Sequence, residues 1–180
     1  GKAMVNLLPI ETGETINTVM PMPDDSESWE DLHVMFATAA GNIRRNRLSD
    51  FTNIKRNGKI AMKLAEGDEL VGVAPCNETD DLLLATRDGK AIRFAVDAVR
   101  VFRGRDSTGV RGIRLLGKDS VVSMSIITDD ANEFVLSVTE NGYGKRTPVS
   151  DYRVTGRGGQ GVANIEISER NGKVMASFAV

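Results

Sequence analysis

Apolar residues in this chain fall in short runs broken by glycine, asparagine and aspartate, and no segment keeps a 3.6-residue apolar period over two turns, so the pattern predicts strands and almost no helix. Residues 34–38, 82–86 and 134–139 have the β-branched and apolar composition of strands. Each is followed by a tight-turn signal. Asp88-Gly89 and Asn141-Gly142 are strong two-residue hairpin sequences, and Ala40-Gly41 is a poorer match in the same slot. The return segments 42–46, 90–95 and 143–148 alternate apolar or small residues with cations. Successive side chains leave opposite faces of a strand, so this alternation predicts arginines held together on one side while their neighbours pack inward.

The three hairpins are copies of one unit of about fifty residues, the size of a propeller blade or solenoid repeat. Past each turn glycine comes a matching cluster: Leu48-Ser49-Asp50-Phe51, Val96-Asp97-Ala98-Val99 and Val149-Ser150-Asp151-Tyr152. A variable basic loop leads to a second glycine, Gly58, Gly109 or Gly161, followed by apolar pairs: Met62 and Leu64, Ile113 and Leu115, Ile165 and Ile167. Those pairs predict a third strand, and a fourth begins at Leu70, Val121 or Val174. Four strands per unit is the count of a propeller blade. The expected organisation is one all-β repeat domain, with a partial repeat over 1–33 and repeats over 34–81, 82–133 and 134–180. The chain starts and stops within a repeat, which reads as a piece of a longer array.

Composition narrows the chemistry. A chain of 180 residues can bury enough surface for one solid domain. Its single cysteine, Cys76, excludes a disulfide framework and reads as a buried hydrophobe in a reducing compartment. Its single histidine, His33, has no second histidine for metal or acid–base work. No apolar run is long enough to cross a bilayer, and the expected location is cytoplasmic.

A net charge of −2 would argue against a nucleic-acid partner, but the distribution reverses that impression. Residues 41–63 carry seven cations and one aspartate, residues 87–114 eight cations and three aspartates, and residues 142–161 four cations and one aspartate. Acidic residues collect between these blocks, at 24–27, 66–69, 78–81 and 129–130. Cations at equivalent places in three copies predict a surface that tracks phosphates, with a solvated strand face as the alternative. The candidate contacts are Arg44, Arg45, Arg47, Lys55, Arg56, Lys90, Arg93, Arg103, Arg105, Lys145, Arg146 and Arg157, together with Gly158, Gly159 and Gln160.

The string Gly156-Arg157-Gly158-Gly159-Gln160-Gly161 has two readings, a backbone nest for a phosphate or a flexible turn between strands. It is not a P-loop, since no Gly-Lys-Ser or Gly-Lys-Thr follows. Few aromatics stand where bases could stack, and Tyr152 aligns with Phe51 and Val99, which places it in a core. No nucleophile, base and orienting group cluster together, and no cofactor or metal site is expected. Residues 21–31, acidic and with two prolines, read as a mobile loop, in which Trp29 folds back onto the blade or serves as a docking aromatic.

Several longer strings carry a resemblance: residues 5–9, 66–73, 89–94, 109–113 and 140–148, among them Glu140-Asn141-Gly142-Tyr143-Gly144-Lys145-Arg146-Thr147-Pro148. Together they resemble, over essentially the whole chain, the C-terminal domain of bacterial DNA gyrase A. The resemblance implies a β-pinwheel, a propeller-like disc with strands shared between neighbouring blades and a basic outer rim. In that family the rim wraps double-stranded DNA in a positive sense, which gives supercoiling its negative direction. It also implies the rest of gyrase A and its companion gyrase B as partners, with the ATPase and the DNA-cleaving tyrosine in other regions. The family's box Q-R-R-G-G-K-G laid on residues 155–161 matches Arg157, Gly158, Gly159 and Gly161 and departs at Thr155, Gly156 and Gln160. This marks a later blade, with the full box expected upstream. The corresponding polypeptide of topoisomerase IV has a related domain, but the strings favour gyrase. The competing expectation is a propeller that docks a protein through its acidic 21–31 loop.

Overall fold

The computed structural model describes residues 1–55 and 57–180, and among these it has eleven strands, five short 3-10 turns and no α-helix. Three hairpins form its frame: β1 (His33–Thr38) with β2 (Asn42–Arg47), β4 (Asp81–Thr86) with β5 (Lys90–Ala95), and β8 (Phe134–Thr139) with β9 (Gly144–Pro148). The recurring Thr-x-x-Gly explains each turn. Gly41, Gly89 and Gly142 take φ of 86°, 81° and 82°, and their N–H groups donate to the carbonyls of Thr38, Thr86 and Thr139. The Thr38 and Thr86 hydroxyls accept the N–H of Asn42 and Lys90 at 3.3 and 3.2 Å, which closes the first two turns from the side.

A further strand runs antiparallel beside each hairpin: β3 (Leu70–Cys76) on β1, β7 (Val121–Ile127) on β4, and β11 (Val174–Ala179) on β8. These strands form one edge of every sheet, and they pack β3 on β7 and β7 on β11, so the blades converge there as a hub. The opposite edge is built by exchange between repeats. β6 (Val110–Arg111) pairs with β2 of the preceding blade, and β10 (Val162–Ala163) pairs with β5. Two four-stranded sheets and one three-stranded sheet result, in the orders β3-β1-β2-β6, β10-β5-β4-β7 and β11-β8-β9.

The second glycines make the exchange possible. A Cβ on Gly109 would lie 2.1 Å from the Ile43 carbonyl oxygen, and one on Gly161 would lie 2.4 Å from that of Ala91. No strand forms at 60–64, 113–115 or 165–167, where the apolar pairs predicted one; the exchanged strands β6 and β10 are two residues each and lie directly after the second glycine. Only two ladder pairs form at each seam, because the segment crosses from one blade to the next and then turns towards the hub. In the first repeat no counterpart of β6 or β10 forms between Gly58 and β3, since no earlier blade stands among the described residues to receive it; Ala61 and Met62 instead fold against the first blade's own cluster.

The clusters after each hairpin are 3-10 turns at Leu48–Phe51, Val96–Ala98 and Val149–Asp151, whose first residues are fully buried. The main core spans the first two blades, with Met35, Ile43, Leu82, Leu84, Phe94 and Ile113 among its members. Residues 21–31, expected as a mobile loop from composition, contain a turn that packs on the first blade. Asp25 caps a 3-10 turn over Ser26–Glu30, and the Trp29 indole donates to the Pro23 carbonyl at 2.9 Å. Trp29 packs with Met20, Met22 and Leu32 on Val34, Phe36 and Leu48, an apolar gain that fixes the segment. Cys76 is buried, and burial pushes its thiol up to about 12.

Candidate nucleic-acid interface

Charge is sorted radially by the strand order. The hub strands β3, β7 and β11 contain no charged residue, whereas most of the cations lie on β2, β5 and β9 and on the loops that cross to the neighbouring blade. The crossing loops run beside the outer strands, as the bonds from the Phe102 N–H to the Arg45 carbonyl and from the Thr155 N–H to the Arg93 carbonyl show, both 2.8 Å.

The strand arginines do not all project outward, which corrects the expectation from alternation. Arg44, Arg45 and Arg93 are 0, 3 and 6% exposed. Both faces of β2 and β5 are covered, one by their own blade's core and the other by the incoming loop of the next repeat, so alternation moves an arginine between two interiors. Arg93 bonds Asp81 at 2.6 Å and Asp130 at 2.7 Å, and donates to the carbonyls of Val149 and Tyr152 in the third blade. Burial works to lower its pKa, but the bonds and charge of Asp130 and Asp81 prevail and raise it. Arg45 occupies the equivalent place and lies 3.7 Å from Glu78 and 4.0 Å from Asp97. Arg93 thus bonds its blade to the next, whereas Arg45 makes only these long contacts and its buried Nε and Nη1 have no hydrogen-bond partner among the described residues.

The third copy differs because no blade follows it among the described residues. Arg146 is exposed and lies with its guanidinium 3.7 Å from the centre of the Phe134 ring. Lys145 is exposed beside it.

The exposed cations are chiefly on the loops. Arg47, Lys55, Lys90, Arg103 and Arg157 are exposed, and Arg105 is half-buried with Nη1 on the Ile60 carbonyl at 2.8 Å. Arg56 lies outside the described residues. Four exposed arginines beyond the sequence-derived candidates join this edge: Arg100, which stacks on Phe102, Arg111, Arg114 and Arg153. Their signal in the sequence was position alone, since each sits between a 3-10 cluster and the residues just past the second glycine.

The glycine string of the third repeat is a seam. The Gly158 N–H donates to the Gly112 carbonyl at 2.6 Å, and the Gly159 carbonyl accepts from the Arg114 N–H at 2.8 Å. Arg157 reaches the carbonyls of Ala98 at 3.0 Å and Arg111 at 3.1 Å. The Gly158 N–H is therefore engaged within the fold rather than open to an anion, and the loop is held rather than flexible. Gln160 is exposed beside Lys90 and Arg114.

Tyr152 is buried, its hydroxyl 2.5 Å from Asn164 Oδ1, in a network that continues to Ser137 and Ser177. Burial raises its pKa, which suits a structural phenol rather than a nucleophile. Among the described residues no three His, Cys, Asp or Glu side chains are grouped to hold a metal ion, and no helix is long and apolar enough to cross a membrane.

A sequence profile described as "DNA gyrase C-terminal domain, beta-propeller" matches residues 32–77, 80–128 and 133–180. The chain is 42% identical to DNA gyrase A of Granulibacter bethesdensis over 98% of its own length, and 39% identical to that of Rickettsia bellii over all of it. It spans 25% of the length of each of these relatives. Among solved structures, the DNA gyrase A C-terminal domain superposes with a TM-score of 0.86 at 26% identity, covering 99% of this chain and 58% of that one. The C-terminal domain of DNA topoisomerase IV superposes at 0.88 with 23% identity, covering 100% and 55%, a likeness of fold.

Proposed function

The chain belongs to the DNA gyrase C-terminal domain family, and from that premise we propose that it is a duplex-DNA-binding and DNA-bending module of a type IIA topoisomerase. The observation that supports this reading is the recurrence of exposed cations on the crossing loops and outer strands, Arg47, Lys55, Arg103, Arg153 and Arg157 among them, around a hub whose strands are uncharged. Such an edge meets phosphates and not base edges, so binding is sequence-tolerant and salt-dependent. Bending a site of 20 to 30 base pairs costs on the order of 1 to 6 kcal/mol, which added phosphate contacts on a curved edge can offset.

In this reading the module is not an enzyme by itself. It acts in the cytoplasm with the remainder of gyrase A and with gyrase B, and gives the direction of wrapping to strand passage carried out elsewhere in the assembly. The acidic segment 21–31 is a weaker candidate for docking a protein, because its tryptophan is turned into the first blade.

Duplex binding measured across a salt series, on a straight and a pre-bent duplex, tests the proposal. A log–log slope of about −4 or steeper, as for four or more neutralised phosphates, with tighter binding to the bent duplex, is expected. Absence of binding at low salt, or a flat salt response, overturns it.

A further inference from the structure

At the seam between the first and second blades two polar side chains, Arg44 and Asn46, are fully buried, each 0% exposed. Counted from the hairpin glycines, the same positions in the second blade are Ile92 and Phe94, both buried and apolar. A seam of this geometry therefore closes without a polar pair. The hydrogen-bond partners of the guanidinium are neutral oxygens, with Asp106 and Asp50 near enough to act on its charge, and burying it costs desolvation that an apolar pair avoids.

The donors of the pair converge on the backbone of the basic loop. Arg44 Nη1 donates to the carbonyls of Arg105 at 2.6 Å and Ser107 at 2.9 Å, Nη2 donates to the Ala61 carbonyl, and Nε donates to Asn46 Oδ1 at 2.7 Å. Asn46 Nδ2 donates to the carbonyls of Phe102 at 3.0 Å and Gly104 at 3.1 Å. Among the described residues, the hydrogen bonds that hold residues 103–107 to the first repeat come from these two side chains, apart from the bond of the Arg105 side chain to Ile60. A planar fork with several fixed donors suits this task better than a lysine ammonium.

Resting on the DNA-binding reading, we infer that Arg44 and Asn46 are positioning residues: they lock the loop carrying Arg103 and Arg105 against the first repeat's basic segment, and so set the phosphate contacts without touching a phosphate. The first blade's seam thus differs from the second's, where Arg157 and the glycine string hold the loop from its own side.

The test uses the full 180-residue chain with Arg44→Met, Arg44→Lys, Asn46→Leu and the contact control Arg103→Ala, read by amide hydrogen exchange and by duplex affinity across a salt series. Arg44→Met is expected to speed exchange of the Phe102 and Gly112 amides, which bond the Arg45 and Gly41 carbonyls and bracket the loop, at least tenfold with β4 and β7 unchanged. It is also expected to weaken duplex binding at least fivefold and to flatten the salt slope by more than the ~0.9 that one lost phosphate contact removes. Arg44→Lys should not restore the wild-type loop. Unchanged loop exchange with a slope change of about 0.9, restored by Arg44→Lys, would identify Arg44 as a direct contact and overturn the inference. So would a freed loop with unchanged affinity, or exchange accelerated equally in β4 and β7. Where Arg44→Met fails to fold, Asn46→Leu removes the bonds to Phe102 and Gly104 and carries the same expectations. Failure of the wild-type chain to bind duplex at low salt defeats the DNA-binding reading itself, and is distinguished because the loop-exchange arm still reports whether the latch exists.

Discussion

Arg93 and Arg103 carry the same charge and both lie beside a blade seam, yet their environments assign them opposite duties. Arg93 is enclosed by Asp81, Asp130 and two carbonyls of the third blade, whereas Arg103 is exposed. Arg93→Met should destabilise the fold by about 3 kcal/mol, since it leaves Asp81 part-buried and unpaired, with a smaller share from the more exposed Asp130. Arg103→Ala should change stability by less than about 0.5 kcal/mol while flattening the salt slope of duplex binding by about 0.9. Urea unfolding and the salt series, run on both variants, check the contrast. His33 adds a pH dependence. Burial lowers its pKa below the ordinary 6.5, and the charges of Arg45 and Arg47 push the same way against Glu78. The unfolded chain therefore takes up the proton first as pH falls through 6.5, so stability is full above that value and declines below it, by at most about 1.4 kcal/mol per pH unit. Unfolding at about pH 7.5 and about pH 5.5, either side of the ordinary histidine value, should show this loss in the wild type and a smaller one in His33→Gln.

Strand exchange is governed by single backbone positions. Gly109 and Gly58 occupy equivalent places and both take positive φ, 83° and 79°, but only Gly109 is pressed against a neighbouring strand. Gly109→Ala combines a strained backbone with a Cβ 2.1 Å from the Ile43 oxygen, so β6 must lift from β2, at a cost on the order of 3 kcal/mol. Gly58→Ala meets no atom of the described residues within 4 Å and should cost only the left-handed penalty, about 1 kcal/mol. Denaturant midpoints of the two variants separate seam packing from backbone strain. The hairpins, their turn glycines and the inner strands were legible because each depends on residues close in sequence. The short length of β6 and β10 was not, since it depends on which strand lies across the seam.

At the scale of the whole chain, cohesion is uneven. The first two blades share one apolar core, and each has its outer strand covered by the following repeat, whereas the outward edge of β9 has no strand partner among the described residues. In a repeat architecture stability is a sum of unit and interface terms, so a blade lacking an interface opens more readily. Amides on the open edge of β9 should exchange at least tenfold faster than those of β4, which is paired on both sides; equal protection would contradict this account. The sequence by itself determined the all-β class, the repeat, the turn positions and the concentration of cations in each copy, because these follow from periodicity, glycine chemistry and counting. It singled out Arg44, Arg45, Arg93 and the Gly158 backbone as surface chemistry, and there tertiary structure placed them inside a seam. Alternation along a strand says which of two faces a side chain takes, not what covers that face. Only the arrival of the next repeat's loop on β2 and β5 enclosed those arginines and left the loop cations on the outside.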